Sequence, residues 1–81
     1  MNLERAAMRG QLAENEQRRD RLRLKVDGMC QSIRQQLNTA LTAVDDLDVP
    51  TAAALMDDLV ASYAELTALT GRIARLEREL A

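Results

Sequence analysis

KVDGMC, residues 25–30, decides between two folds. Asp-Gly is a strong turn signal, yet Asp27-Gly28 lies between two stretches rich in helix formers. A turn there would give a compact three-helix bundle. A helix running through it would give a long two-helix hairpin. Hydrophobic spacing favours the second. Val26, Cys30, Ile33, Leu37, Ala40, Val44 and Leu47 recur at alternating intervals of four and three. That is a coiled-coil seam with Cys30, Leu37 and Val44 at a, and Val26, Ile33, Ala40 and Leu47 at d. The phase survives Gly28, where an inserted turn would have reset it.

Outward from this stretch, the second half repeats the pattern. Ala52, Leu55, Leu59, Ser62, Leu66, Leu69, Ile73, Leu76 and Leu80 step by three and four, with Ser62 the one polar member. LDVPT separates the two seams. Pro50 fixes its own φ and disfavours helical geometry at Val49, and either Asp48 or Thr51 has the oxygen to cap the next helix. The expected fold is all-α: a single domain over residues 1–81, with helix 1 from about 3 to 46, a turn at about 47–50 and helix 2 from about 51 to 80. The helices are antiparallel and pair Leu47 with Ala52, Val44 with Leu55, Leu37 with Ser62 and Val26 with Ile73. Helix 2 is then exhausted near Arg19, so residues 1–17 form an overhang completed by oligomerisation. The three-helix bundle is the alternative.

Composition sets the class. Of 81 residues, one is aromatic (Tyr63), one is cysteine and none is histidine. Neither a disulfide framework nor an ordinary zinc site can be built from these. No Gly-rich phosphate loop is present. Cys30 has no histidine to activate it and sits on the seam, which suits a small core residue better than a nucleophile. The expectation is no enzyme, no cofactor, no metal and no catalytic residue. No apolar run approaches a membrane span, and the N-terminal residues lack a signal-peptide core. A cytoplasmic protein that does not engage membranes is expected.

Two sets of apolar residues lie outside the seam. Leu3, Met8 and Leu12 mark the overhang, and Leu41, Met56, Val60 and Tyr63 widen the apolar face near the turn. A two-helix seam does not need them, so they are the expected protein interface. A homo-oligomer, dimer or tetramer, is the leading expectation, with a helical protein partner as the alternative.

Charge is unevenly distributed. No Lys or Arg occurs from residue 35 to 71, a stretch that holds Asp45, Asp46, Asp48, Asp57, Asp58 and Glu65. In the expected pairing, residues 18–27 lie beside 72–79 and form a basic stem with Arg18, Arg19, Arg21 and Arg23. An acidic tip meeting a basic stem would orient two hairpins. The same arginines invite a nucleic-acid reading. The acidic sequence pI of about 5.0 and the lack of aromatics for base stacking argue against it.

LERAAMRGQLAENEQRRDRL, the central LDVPTAAAL and the closing YAELTALTGRIARLEREL together resemble the small helical-hairpin proteins of the early gene clusters of Mu-like phages and prophages. The resemblance implies an accessory protein that acts by association, with no catalytic residues to carry over. The size and plan are also similar to the small hairpin co-chaperones of type III secretion. There Leu41, Met56, Val60 and Tyr63 would face a partner helix. The expected function is a non-enzymatic structural or adaptor protein; a chaperone-like module and a nucleic-acid accessory factor are the alternatives.

Overall fold

The computed structural model describes residues 2–81 as two long helices, α1 (Leu3–Gln36) and α2 (Val49–Leu80), packed against each other with a 3₁₀ turn at Val44–Asp46 between them. The particle is a rod of 66 × 17 × 14 Å. The helical hairpin is the fold, and the three-helix bundle is excluded because α1 passes through Asp27-Gly28 unbroken.

Local chemistry explains why Asp-Gly fails to turn. The Asp27 carboxylate accepts from the Gln31 side-chain amide at 2.7 Å, an i,i+4 pair that only a helix brings together. Gly28 has ordinary negative φ, and a Cβ built on it would meet nothing within 4 Å. Alanine there should therefore raise stability by about 1 kcal/mol, the helix-propensity difference. A thermal melt of Gly28→Ala checks this, and a lowered midpoint would mean that the position needs its glycine.

α1 ends ten residues before the expected boundary near residue 46. Asn38 is the stop. Its side-chain oxygen accepts from the backbone N–H of Ala40 at 3.0 Å, and its carbonyl takes the N–H groups of Leu41 and Thr42. The side-chain bond is the one that competes with the helix ladder, because it takes the Ala40 N–H that would otherwise bond the Gln36 carbonyl. Continuing the helix would also have placed Asp45 and Asp46 at the negative end of its dipole. In the observed fold the C-terminal turn carries Arg34 instead, and Glu4 lies in the first turn, where Asn2 caps Arg5 N–H at 3.0 Å.

α2 begins at Val49, two residues before the expected start, with Pro50 in its first turn. The cap is Asp48. One of its oxygens accepts from Thr51 N–H at 3.1 Å and the other from the Thr51 hydroxyl at 2.7 Å. The hydroxyl bond, followed by the backbone bond, holds the Asp48 carboxyl below its usual value of 3.8. A carboxyl lowered by folding contributes stability that is complete above its unfolded pKa and lost as pH falls through the folded one. Circular-dichroism melts between pH 6 and pH 2 should show a steeper acid loss for the native chain than for Asp48→Asn. Equal slopes would mean that the cap does not sense the charge.

Because residues 37–48 are spent on the connection, the two helices are nearly equal in length and pair along their whole extent. The Arg5 guanidinium donates to the carbonyl of Leu80 at 2.8 Å, and Arg18 pairs with Glu65. The expected register is thus displaced by about fifteen residues along α2, and the described residues of the expected overhang, 2–17, lie against α2 instead of projecting unpaired. A hairpin helix pairs from its connection outward, so the length of the connection sets the register.

The α2 half of the seam is as expected: Ala52, Ser62, Leu69 and Ile73 are buried, and Leu55, Leu59, Leu66, Leu76 and Leu80 are half-buried. The α1 half agrees in part: Val26, Cys30 and Ile33 are half-buried as expected, while the other inward row runs one position earlier, through Met29 and Gln36. Leu22 is buried, and Arg5, Met8, Leu12, Asn15, Arg19, Val26, Met29, Ile33 and Gln36 are half-buried at steps of three and four. Leu37 and Val44, expected in the core, are exposed at 44% and 71%. The core centres on Leu22, Leu69 and Ile73, with Leu12 and Leu66 packed against it. Among the described residues only four apolar side chains, Ala52 among them, are buried, which is a thin core for a chain of this length.

Candidate association surface

The loop end of the rod is apolar and uncovered. Leu41 is 83% exposed, Val60 62%, Tyr63 60% and Met56 50%. These are four of the residues singled out in the sequence. Leu37, Val44 and Val49 join them as exposed large apolar side chains of the same region, and the sequence reading had missed them because it placed Leu37 and Val44 in the seam. On α2 the arrangement is a simple consequence of helix geometry. Val49, Met56, Val60 and Tyr63 follow each other at intervals that keep them on one stripe, distinct from the stripe that faces α1. Acid lies beside the stripe: Asp45 and Asp46 stand in the 3₁₀ turn, Asp48 caps α2, and Asp57 is exposed on the flank between two and three turns on, with Asp58 on the opposite face of the helix.

The other expected interface residues separate from this group. Leu12 packs on the core cluster and Met8 is half-buried in the seam, so both belong to the hairpin's own interior. Leu3 is 74% exposed at the far end of the rod. With the overhang gone, Leu3, Met8 and Leu12 no longer form a stripe awaiting a partner.

The basic stem is also rearranged. Residues 18–27 do not lie beside 72–79. Arg18 instead pairs with Glu65, and Arg23 approaches Asp20 at 3.9 Å while lining a shallow cleft of about 250 Å³ with Tyr63, Thr67 and Thr70. Arg72 and Arg75 border a separate groove of about 530 Å³ with Gln11, Glu14 and Asn15. Both grooves are open, and neither gathers a nucleophile with a base. Cys30 is a free, half-buried thiol. Among the described residues no three His, Cys, Asp or Glu side chains are placed to hold a metal ion, and no helix is long and apolar enough to cross a membrane.

Arg19 is the anomaly of the seam. Its side chain is 23% exposed, and its Nε, buried and 3.5 Å from an Asp20 oxygen, makes no hydrogen bond. The ion pair is close enough for Coulomb attraction but too poorly aligned to satisfy the N–H. An unsatisfied buried donor costs about 1–3 kcal/mol, so Arg19→Met should stabilise the hairpin by about 1 kcal/mol or more. Urea unfolding of the variant checks this, and a lower midpoint would show that the guanidinium is worth its desolvation.

No protein-family description, no curated protein and no solved structure matches this chain.

Proposed function

We propose that this chain is a non-enzymatic association module: a structural or adaptor hairpin that pairs with copies of itself through the apolar flank at its loop end. The observation that carries the reading is the imbalance between core and surface. Among the described residues four apolar side chains are buried, while seven large ones (Leu37, Leu41, Val44, Val49, Met56, Val60 and Tyr63) stand exposed around one end. An uncovered patch of that kind on a small helical rod marks a contact surface, and a thin core gains stability when a second subunit covers it. This role fits a small accessory protein of the phage type that the sequence resembles.

A heterologous helix is the second reading, supported by the four aspartates beside the patch, Asp45, Asp46, Asp48 and Asp57, which suit a partner with Lys and Arg beside its apolar stripe. The nucleic-acid reading is weakened, because Arg18 is engaged by Glu65 and Arg19 lies in the seam.

Sedimentation equilibrium of the purified chain, at low and at high salt, is the test. Self-association predicts a stable dimer or tetramer without any added component. A folded monomer up to high concentration would overturn it. A monomer that gains mass only when a basic amphipathic peptide is added would establish the second reading in its place.

A further inference from the structure

We propose that the element covering this flank is α2 of a second copy, running antiparallel to the first, with the two-fold axis beside Val60 and Tyr63. This rests on the self-association reading and adds its geometry.

The uncharged stripe does not stop at the loop end. From Val49 it continues at steps of three and four through Met56, Val60, Tyr63 and Thr67 to Ala74, and no Asp, Glu, Lys or Arg occupies any position on it. At about 100° per residue the stripe lies roughly 110° around α2 from the seam with α1. That is the angular separation of two neighbours of one helix in a four-helix bundle. The charges of α2 within this span are all displaced from the stripe: Asp57, Asp58, Glu65 and Arg72 project to the sides or back of the helix. α1 offers no matching face. Arg23, beside Tyr63 and Thr67 in the shallow cleft, occupies its side of the hairpin. The mate therefore packs on α2 itself.

Charge gives the direction. The N-terminal half of α2 and its cap carry Asp48, Asp57 and Asp58 with no base, and the last ten residues carry Arg72, Arg75 and Arg78 against Glu77 and Glu79. A parallel mate would set acid against acid and base against base. An antiparallel mate sets Asp48 of each copy opposite Arg75 of the other, leaves Asp57 opposite Leu66 and Asp58 opposite Glu65 on the back of the helix, and opposes the helix dipoles as well. The packing agrees. About a centre between Val60 and Tyr63, Met56 meets Thr67 and Val49 meets Ala74, so large side chains face small ones. A stripe complementary to itself under a two-fold rotation is what an isologous dimer requires.

The test uses spin labels on single cysteines in a Cys30→Ser background, at Ala54, Ala61 and Ala68. All three alanines are exposed and lie on the side of α2 away from both stripes, so labelling should leave the helicity measured by circular dichroism unchanged. Antiparallel pairing predicts the shortest inter-copy distance at position 61. At 54 and 68 the two labels are offset along the axis by a further ~20 Å, from ~1.5 Å of rise per residue in each copy. Distances that are equal at the three positions mean a parallel mate, and a minimum at 54 or 68 means a different register. Either result overturns the pairing while leaving self-association standing. A monomeric mass for the same labelled samples overturns both.

Discussion

Leu69→Ala is expected to destabilise the hairpin by about 3 kcal/mol, within the 2–5 kcal/mol range for removing a buried leucine side chain. Leu69 is 1% exposed, the most completely buried large side chain among the described residues, and it clusters with Leu22 and Ile73 in the core. Two helices have no third layer to close over a hole, so the cavity would fill with water or drag the helices together. At roughly 0.05–0.15 kcal/mol of net stability per residue, such a loss is a large share of what a chain this size has. Leu24→Ala provides the contrast. Leu24 is 74% exposed on the outer side of α1, and its removal should stay within about 0.5 kcal/mol. Chemical unfolding of the two variants should therefore differ widely for the same change of residue. Similar midpoints would mean that the hairpin does not unfold through loss of this core.

The double variant Val60→Asp/Tyr63→Asp is expected to abolish self-association while leaving the hairpin helical. Both side chains are more than half exposed in the single chain, so charge there does not enter the core of the monomer. In an assembly the same two carboxylates would be buried without partners at the centre of an apolar contact, which costs about 3–5 kcal/mol. That is at least a hundredfold in the association constant. Sedimentation should report a monomer, with the far-ultraviolet helical signal at the level of the native monomer. An unchanged oligomer would move the contact elsewhere on the rod. Loss of helix together with loss of mass would show that the hairpin needs its partner in order to fold, which is the extreme form of the thin-core argument.

These two variants probe different levels of legibility. α2 was readable residue by residue. It is a single long helix with leucine at most inward positions, and an apolar repeat of three and four has one meaning in a segment that long. The exposed flank at Met56, Val60 and Tyr63 was readable for the same reason, since helical spacing assigns each residue to a face without any knowledge of the neighbour. α1 was readable only in part. Its heptad phase was anchored on Leu37, Ala40, Val44 and Leu47, which continue the repeat in number but not in space, because the helix stops at Gln36. Once those anchors are removed, Val26 and Ile33 stay inward but the alternate row moves by one, to Leu22, Met29 and Gln36. The physical cause is local: the Asn38 side chain captures the Ala40 N–H that the helix would have used, and Asp45 and Asp46 would oppose its dipole. Both effects were visible as residue types. Their sum against seven apolar residues in perfect register was not.

By itself, then, the sequence determined the all-α class, the passage of the helix through Asp27-Gly28, the inward face of α2 and the apolar flank beside it. All of these depend on interactions between residues a few positions apart, which spacing records directly. Only the tertiary structure decided where α1 ends and how the helices slide past each other. It thereby decided that Leu12 packs on the core, that Arg18 meets Glu65 and that Arg5 reaches Leu80 at the far end of the rod. Register between two helices depends on the length of the connection, and a seam that repeats every seven residues is nearly satisfied at several offsets. What selects among them is the end of one helix, a competition of small local terms that no periodic pattern encodes.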